Sequence, residues 1–316
     1  MSVITLPKFL YPDKHYVLLS LALALVLDVV YPRHSGILLL IHPVHTSYIL
    51  ALKLAKPFSS ILRGIAVWFV VVALHLVFYT SVLYLAWCLS PWLWVAVASW
   101  ITKCCFSLRL LIDIVKRVGV CSAISDWECA RYWTQQIVRR NVYALGRGHV
   151  LSAAIESLAE SLVDGFTSPL LFFMFLGPIG ALLQRIANTL DGALGFKTPP
   201  FKDVGWFSAR MDTLLNFIPA RATALLYIAF AWIAGSIRKA YTSWRYTATK
   251  CESVNACHPM SALAGALGVK LEKPGHYVLG LDHRLPETKD VFRAIRLSLV
   301  VATVWTALIV IMIAII

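Results

Sequence analysis

Charged side chains are scarce in this sequence. Asp, Glu, Lys and Arg make up 14% of its 316 residues, whereas 59% of the residues are hydrophobic. Soluble proteins carry about 25% charged residues. A chain with a mean hydropathy of +0.74 has too little polar surface to cover a water-exposed body, so lipid has to cover much of it. The composition excludes an ordinary soluble protein and predicts an integral membrane protein.

Acidic residues are fewer than basic ones. The 16 Asp and Glu stand against 29 Lys and Arg, which gives a net charge of +13 at pH 7. This excess favours anionic lipid surfaces and anionic substrates as partners. The basic residues lie beside apolar segments and not in one basic domain, so we expect the lipid bilayer as a partner and no nucleic acid.

Cysteine motifs and internal repeats are also missing. The 7 cysteines include no CxxC pair, which predicts neither a disulfide framework nor a zinc site. His42 and His45 stand one helical turn apart, where they could bind a metal; without a third ligand nearby, polar residues packed in a helix bundle are the other interpretation. The lack of repeated halves counts against a transporter of an anionic solute.

Long apolar runs predict an all-α, polytopic helical membrane protein. No Asp, Glu, Lys or Arg occurs from residue 64 to residue 102, a length that suits a helical hairpin with its break at Ser90-Pro91. The run from 165 to 184 has spanning length, but Gly177-Pro178 interrupts it, which predicts a broken or re-entrant segment. We expect amphipathic or re-entrant helices to form a polar site that faces the cytoplasm.

The predicted organisation is a single integral-membrane domain over residues 1–316. It begins with N-terminal transmembrane helices in 1–102. Polar helices, re-entrant or short membrane segments and the site motifs follow in 103–296. A C-terminal transmembrane helix is predicted for 297–316.

Glu156, Glu160 and Asp164 follow one another at steps of four residues. On a helix this spacing keeps the three carboxylates within about 80° of one face. A solvated helix face is the simpler interpretation, but like charges at this spacing repel and no Lys or Arg lies between them. A magnesium ion would compensate the charges, because it prefers carboxylate oxygens together with substrate phosphates.

A second group of charged and amide side chains lies in and after the sequence NTLDGALGFK. Opposite charges at this density can pair with each other at a membrane surface, but they also suit a site for phosphate and magnesium. The group comprises Asn188, Asp191, Lys197, Lys202, Asp203, Arg210, Asp212, Asn216 and Arg221.

Several segments, taken together, resemble one family. They are IVRRN (137–141), AIESLAESLVDG (154–165), SPLLFFMFLG (168–177), ANTLDGALGFK (187–197), VGWFSARMD (204–212), NFIPAR (216–221) and MSALAGALGVKL (260–271). With Asp28, Pro32 and HPV (42–44), they resemble the CbiB/CobD membrane proteins of cobalamin biosynthesis, which are adenosylcobinamide-phosphate synthases. The similarity covers most of the chain in the same order and spacing.

This resemblance implies an enzyme, an ATP-dependent ligase with ATP and Mg²⁺ as cofactors. It would join the free propionate carboxylate of adenosylcobyric acid to (R)-1-amino-2-propanol or its O-phosphate, giving adenosylcobinamide or its phosphate. Because a carboxylate does not react with an amine unaided, ATP would first convert it to an acyl phosphate. The resemblance places the protein in the cell membrane, with several spans and its site facing the cytoplasm.

Site residues follow from the same resemblance. Magnesium is expected on four carboxylates, those of Glu156, Glu160, Asp164 and Asp191. Asp212 is the expected acceptor of the proton from the attacking ammonium. The groups expected to bind ATP and its phosphates are Arg140, Asn188, Lys197, Arg210 and Arg221.

The chain also departs from the family pattern. Asn141, Ser161 and Thr213 stand where the family usually has Asp, Asn and Asp, so potential ligands or donors are missing. These departures support the alternative of a catalytically silent membrane scaffold of the corrinoid pathway. Whether the amine is phosphorylated before ligation stays open, as does assembly into a homo-oligomer or a complex with pathway enzymes.

Overall fold

The computed structural model describes residues 6–315. Residues 1–5, at the start of the predicted segment 1–102, and residue 316, at the end of the predicted segment 297–316, lie outside the described residues. The helices are α1 (Lys14–Val30), α2 (Gly36–Leu40), α3 (Pro43–Leu54), α4 (Ile61–Leu89), α5 (Pro91–Cys105), α6 (Leu108–Ala123), α7 (Trp127–Gln135), α8 (Arg147–Leu162), α9 (Ser168–Leu194), α10 (Trp206–Leu215), α11 (Phe217–Ala229), α12 (Ile237–Thr247), α13 (Cys257–Leu267) and α14 (Thr288–Ile315).

Three short elements complete the described chain. A π-helical turn, Val163–Thr167, follows α8, and a 3-10 turn, Ala231–Ile233, follows α11. Strands β1 (Leu271–Lys273) and β2 (Tyr277–Leu279) pair antiparallel as a hairpin, which the sequence did not predict. Strands this short carry no periodic pattern that separates them from a loop.

Within residues 6–315, four stretches are long and apolar enough to cross a membrane. They are Ile61–Leu89, Pro91–Ala123, Arg147–Leu194 and Thr288–Ile315. The prediction of an all-α, polytopic membrane protein is confirmed. α1 has 17 residues, at the short end of the lengths that span a bilayer.

The described chain divides into two compact units. Unit 1 contains the described residues of 1–107, 168–215 and 307–316, and unit 2 contains 108–167 and 216–306. In unit 1, α5 packs on α1 and α4, and α9 packs on α3 and α10. In unit 2, α13 packs on α11 and α12, while α8 packs on α6, α7 and β1.

α4 and α5 form the helical hairpin that the uncharged run predicts. α4 ends at Leu89, and the Ser90 hydroxyl accepts a hydrogen bond from the backbone N–H of Trp92, which caps α5. Pro91 is the first residue of α5, a position where its missing N–H costs nothing. Its fixed φ also suits the start of a helix. The break at Ser90-Pro91 is confirmed.

α9 is broken at Gly177. Gly177 has φ 60° and ψ −149°, a backbone region essentially restricted to glycine. A Cβ at this position would lie 2.9 Å from the carbonyl oxygen of Leu10, and one at Gly180 would collide with the carbonyl oxygen of Phe172. Residues eight apart in a continuous helix are about 12 Å apart along its axis. The chain therefore doubles back after Gly177, which confirms the predicted break.

Two disulfides lie in unit 2, contrary to the expectation from cysteine spacing. The structure joins Cys121 with Cys129 and Cys251 with Cys257. Their Cα atoms are 5.7 Å and 5.9 Å apart, within the range that a disulfide spans. The expectation was wrong because turns between helices bring cysteines together without any CxxC motif.

Candidate active site

Glu156 on α8 is the most buried of the predicted acidic residues, at 4% exposure. Its Oε2 accepts hydrogen bonds from Nη2 of Arg140 (2.9 Å) and the hydroxyl of Tyr277 (2.7 Å). Its Oε1 accepts one from the hydroxyl of Ser152 (2.6 Å). We call these four residues the Glu156 cluster. A buried carboxylate is costly unless paired and hydrogen-bonded, and here a cation and two hydroxyls meet that requirement.

The hairpin of β1 and β2 brings Tyr277 to Glu156. The backbone N–H of Glu272 on β1 donates to the hydroxyl of Ser152 (2.8 Å), which holds the hairpin against α8. Ser152 lies one helical turn before Glu156, so the two share a helix face. Burial, and then the charge of Glu156, raise the pKa of Tyr277 well above its ordinary 10. The phenol therefore stays protonated and remains a donor.

The environments of the three predicted acidic residues differ along the helix. Glu160 is exposed, whereas Asp164 is half-buried and belongs to the π-helical turn. Oδ1 of Asp164 accepts a hydrogen bond from Nδ2 of Asn216 (3.1 Å). π-helical turns occur frequently at functional sites. The acidic stripe thus presents a buried, an exposed and a half-buried carboxylate.

Arg221 on α11 is held by an aromatic ring and an amide. Its guanidinium carbon lies 3.4 Å from the centroid of the Phe217 ring, and its Nη1 donates to Oδ1 of Asn255 (3.1 Å). Both contacts suit a cation. Burial, and then the charge of Arg221, lower the pKa of His258 to about 4. His258 is therefore neutral near pH 7.

In unit 1, Asn188 connects a cation with an acid. Its Nδ2 donates to Oδ1 of Asp212 (3.0 Å), and its Oδ1 accepts from Nη1 of Arg185 (3.3 Å). We call these three residues the Asn188 cluster. All three are half-buried, so water and a solute can reach the cluster.

The side chain of Asp191 lies against Gly195, four residues later in the chain. A Cβ at Gly195 would collide with Oδ1 of Asp191, so only glycine leaves room for this carboxylate. The backbone N–H of Gly195 also donates to the carbonyl oxygen of Asp191 (2.7 Å). The GALG sequence after Asp191 thus sets the position of its side chain.

Two exposed cations follow Asp191 along unit 1. Lys197 lies in the loop after α9, and Arg210 lies on α10 with its guanidinium carbon 5.7 Å from the centroid of the Trp206 ring. Exposed cations on long side chains can move to meet an anionic ligand.

The direct contacts between residues singled out from the sequence include those of Arg140 with Glu156, Asn188 with Asp212, and Asp164 with Asn216. Ser152 and Tyr277 were not predicted. The Pro-Gly pair before Tyr277 indicates a turn, but nothing in the sequence connects Tyr277 to Glu156. Unit 2 holds Arg140, Glu156, Glu160, Asp164 and Arg221, and unit 1 holds Asn188, Asp191, Lys197, Arg210 and Asp212.

A family model described as CobD/Cbib protein matches residues 21–307. The chain belongs to the CobD/CbiB family. A relative from Aeropyrum pernix, named probable cobalamin biosynthesis protein CobD, is 45% identical over 304 residues, which cover 96% of this chain and 95% of that protein. Proteins of the same name from Pyrococcus abyssi and Thermococcus kodakarensis are each 38% identical, covering 74% and 69% of both chains, respectively. No solved structure matches.

Membership in the CobD/CbiB family confirms the resemblance carried by the motifs. The match includes both the Glu156 cluster and the Asn188 cluster. Each cluster therefore belongs to the part of the chain that defines the CobD/CbiB family.

Proposed function

We propose that this chain is an ATP-dependent acid–amine ligase of cobalamin biosynthesis. It would join adenosylcobyric acid to (R)-1-amino-2-propanol or its O-phosphate. The observation that carries the proposal is the family match over residues 21–307. The acidic and basic side chains that this chemistry requires lie inside that match.

The reaction needs an activated carboxylate, because a carboxylate does not react with an amine by itself. Transfer of a phosphoryl group from ATP gives an acyl phosphate, and the amine then displaces phosphate and forms the amide. Cations stabilise the transition state at phosphate oxygens, and the candidates for this role are Lys197 and Arg210 in unit 1 and Arg221 in unit 2. Asp212 accepts the proton of the attacking ammonium.

The carboxylates fit magnesium in chemistry, since Mg²⁺ prefers one or two carboxylates together with substrate phosphates. When bound, magnesium neutralises charge on the phosphate oxygens. Glu160 and Asp164 in unit 2 and Asp191 in unit 1 are exposed or half-buried, and we propose each of them as a candidate magnesium ligand. Glu156 already accepts three hydrogen bonds, so we propose that it positions the surrounding segments.

Two of the residues that depart from the family pattern make local backbone contacts. Oδ1 of Asn141 accepts a hydrogen bond from the backbone N–H of Tyr143 (3.0 Å), a turn contact that Asp would make equally. The hydroxyl of Thr213 donates to the carbonyl oxygen of Ala209 within α10 (2.7 Å).

The test is product formation by the purified, detergent-solubilised protein. Adenosylcobyric acid, ATP and Mg²⁺ are supplied with aminopropanol or with its O-phosphate, and the corrinoid is weighed by mass spectrometry. We expect the mass of the corrinoid to increase by that of the amine less one water, with one phosphate released for each amide formed. The preferred amine identifies whether phosphorylation precedes ligation.

An unchanged mass with folded protein and every component present would overturn the ligase and leave the scaffold alternative. Product formed equally well without ATP would overturn the acyl phosphate. The control is Asp212→Asn, which we expect to fold and to lose most of the activity; such a loss excludes a contaminating ligase.

A further inference from the structure

Two histidines and a cysteine, all in unit 1 and none of them assigned to ligation, come together. One ligand atom from each of His34, His42 and Cys104 lies within 4.8 Å of the other two. Among the described residues, this is the group of His, Cys, Asp and Glu that satisfies the geometry of a metal site. His45, the other histidine of HPVH, is not part of it.

Each ligand comes from the end of a helix. His34 lies in the loop after α1, His42 precedes α3, and Cys104 lies in the last turn of α5. α5 packs on both α1 and α3, so residues far apart in the sequence meet. The centroids of the two imidazole rings are 4.3 Å apart.

The group combines a buried thiol with accessible imidazoles. Cys104 is 2% exposed, whereas His34 and His42 are half-buried. The rings of Tyr31 and Trp100 flank His34, with centroids 5.3 Å and 5.2 Å away. A small ion can therefore enter past the histidines and reach a sulfur that the protein interior shields.

We propose that His34, His42 and Cys104 form a site for a divalent transition-metal ion of the zinc class. Two imidazole nitrogens and one thiolate are ligands that zinc and cobalt(II) prefer, while magnesium prefers oxygen. Three protein ligands leave a fourth, open position. This proposal does not rest on the ligase function, and its ligands are separate from the carboxylates assigned to magnesium.

Small movements of the three side chains would bring their ligand atoms to metal-binding distance. Zinc bonds of about 2.0–2.3 Å in tetrahedral geometry place ligand atoms about 3.5 Å apart, so the side chains close in by about 1 Å. The thiol loses its proton to solvent as the metal–sulfur bond forms. Nδ1 of His42 now accepts the backbone N–H of Val44 (3.2 Å); bonding through Nε2 moves the ring proton to Nδ1 and ends that contact.

Replacing Lys103 can show whether the site binds a cation or an anion. Its side chain is 1% exposed, and its Nζ lies 3.1 Å from Nε2 of His34. An ammonium so close opposes a bound cation and favours a bound anion. Replacing it with an apolar side chain of similar length therefore changes the affinities for metal and for phosphate in opposite directions.

The experiment measures Co²⁺ and Zn²⁺ binding by the full-length protein in detergent after treatment with a chelator. We expect one Co²⁺ per chain, a thiolate-to-cobalt charge-transfer absorption band, and displacement by Zn²⁺. His34→Ala and Cys104→Ser are expected to weaken binding by more than the roughly 10–100-fold typical of a change around a metal ligand. His45→Ala and Cys105→Ser are the matched controls and keep wild-type binding.

Lys103→Met is expected to tighten Co²⁺ binding about tenfold or more, as removal of a nearby like charge predicts. Binding unaffected by both His34→Ala and Cys104→Ser would overturn the site. Stabilisation of the wild type by inorganic phosphate, lost in Lys103→Met and not matched by Zn²⁺, would overturn it in favour of an anion site. Unfolding temperatures of the metal-free variants identify any that are misfolded, and the other ligand variant then decides.

Discussion

The Glu156 cluster and the Asn188 cluster contain similar residues in different surroundings. In the first, a carboxylate at 4% exposure accepts hydrogen bonds from one cation and two hydroxyls. In the second, an amide connects an acid and a cation that are all half-buried. A buried ion pair whose carboxylate accepts three hydrogen bonds fixes the segments that meet at it, whereas accessible charges can exchange partners for a ligand. We therefore expect mutations in the Glu156 cluster to affect stability, and mutations of the exposed or half-buried charged residues assigned to ligation to affect catalysis.

Glu156→Ala should have the largest effect on stability. It leaves the Arg140 guanidinium partly buried without its carboxylate, and removing one partner of a buried pair costs about 3–5 kcal/mol. Chemical unfolding in detergent measures the loss. Glu160→Ala, at an exposed position of the same helix, is the control and should change stability by less than about 0.5 kcal/mol. Equal losses in both variants would contradict the distinction between buried and accessible carboxylates.

Glu160→Gln should have the largest effect on catalysis. If the Glu160 carboxylate binds magnesium, its loss lowers turnover about 100-fold or more, about 2.7 kcal/mol in the barrier, while the folded yield stays unchanged. Initial rates at limiting Mg²⁺ measure the effect. Full activity under that condition would show that Glu160 is not a ligand.

Lys197→Ala and Arg210→Ala should each raise KM for ATP about tenfold. This corresponds to loss of one charge-assisted hydrogen bond to phosphate, about 1.4 kcal/mol. Lys202→Ala is the control, because Lys202 is also exposed but has no assigned role. An equal rise in KM for all three variants would indicate a general charge effect instead of two specific contacts.

Tyr277→Phe should have the smallest effect, about 1 kcal/mol of stability, because Glu156 keeps Arg140 and Ser152. The raised pKa of Tyr277 also makes the stability of the fold depend on pH. The folded protein holds the phenol proton more tightly than the unfolded chain. The stability that Tyr277 contributes in this way is fully present below pH 10 and is lost as the pH rises above 10. Wild-type stability should therefore fall more steeply than that of Tyr277→Phe above pH 10; parallel curves would contradict the buried contact.

Local sequence signals were enough to predict the helical hairpin and the break in α9. A run without charge, interrupted by Ser90-Pro91, fixes two helices, and Gly177-Pro178 combines backbone freedom with a missing N–H. These features depend on residues next to each other in the chain. The motifs also identified the family, because their order and spacing are properties of the sequence.

Contacts between distant residues could not be predicted in the same way. Tyr277 and Glu156 are 121 positions apart, and Cys104 lies on a different helix from His34 and His42. No periodicity connects such residues, since their meeting depends on how the helices pack. The burial of Glu156 was missed for the same reason: the spacing of the acidic stripe does not show which carboxylate faces the interior.

The reversal at Gly177 also affects how membrane crossings are counted. A segment that enters and leaves through one surface adds nothing to the parity of crossings, however deep it goes. Reporter enzymes fused at residue 168 and at residue 195 should therefore give readings from the same compartment. A topology drawn from apolar length alone would count Ser168–Leu194 as one crossing, so it predicts the opposite side of the membrane for the loop that follows.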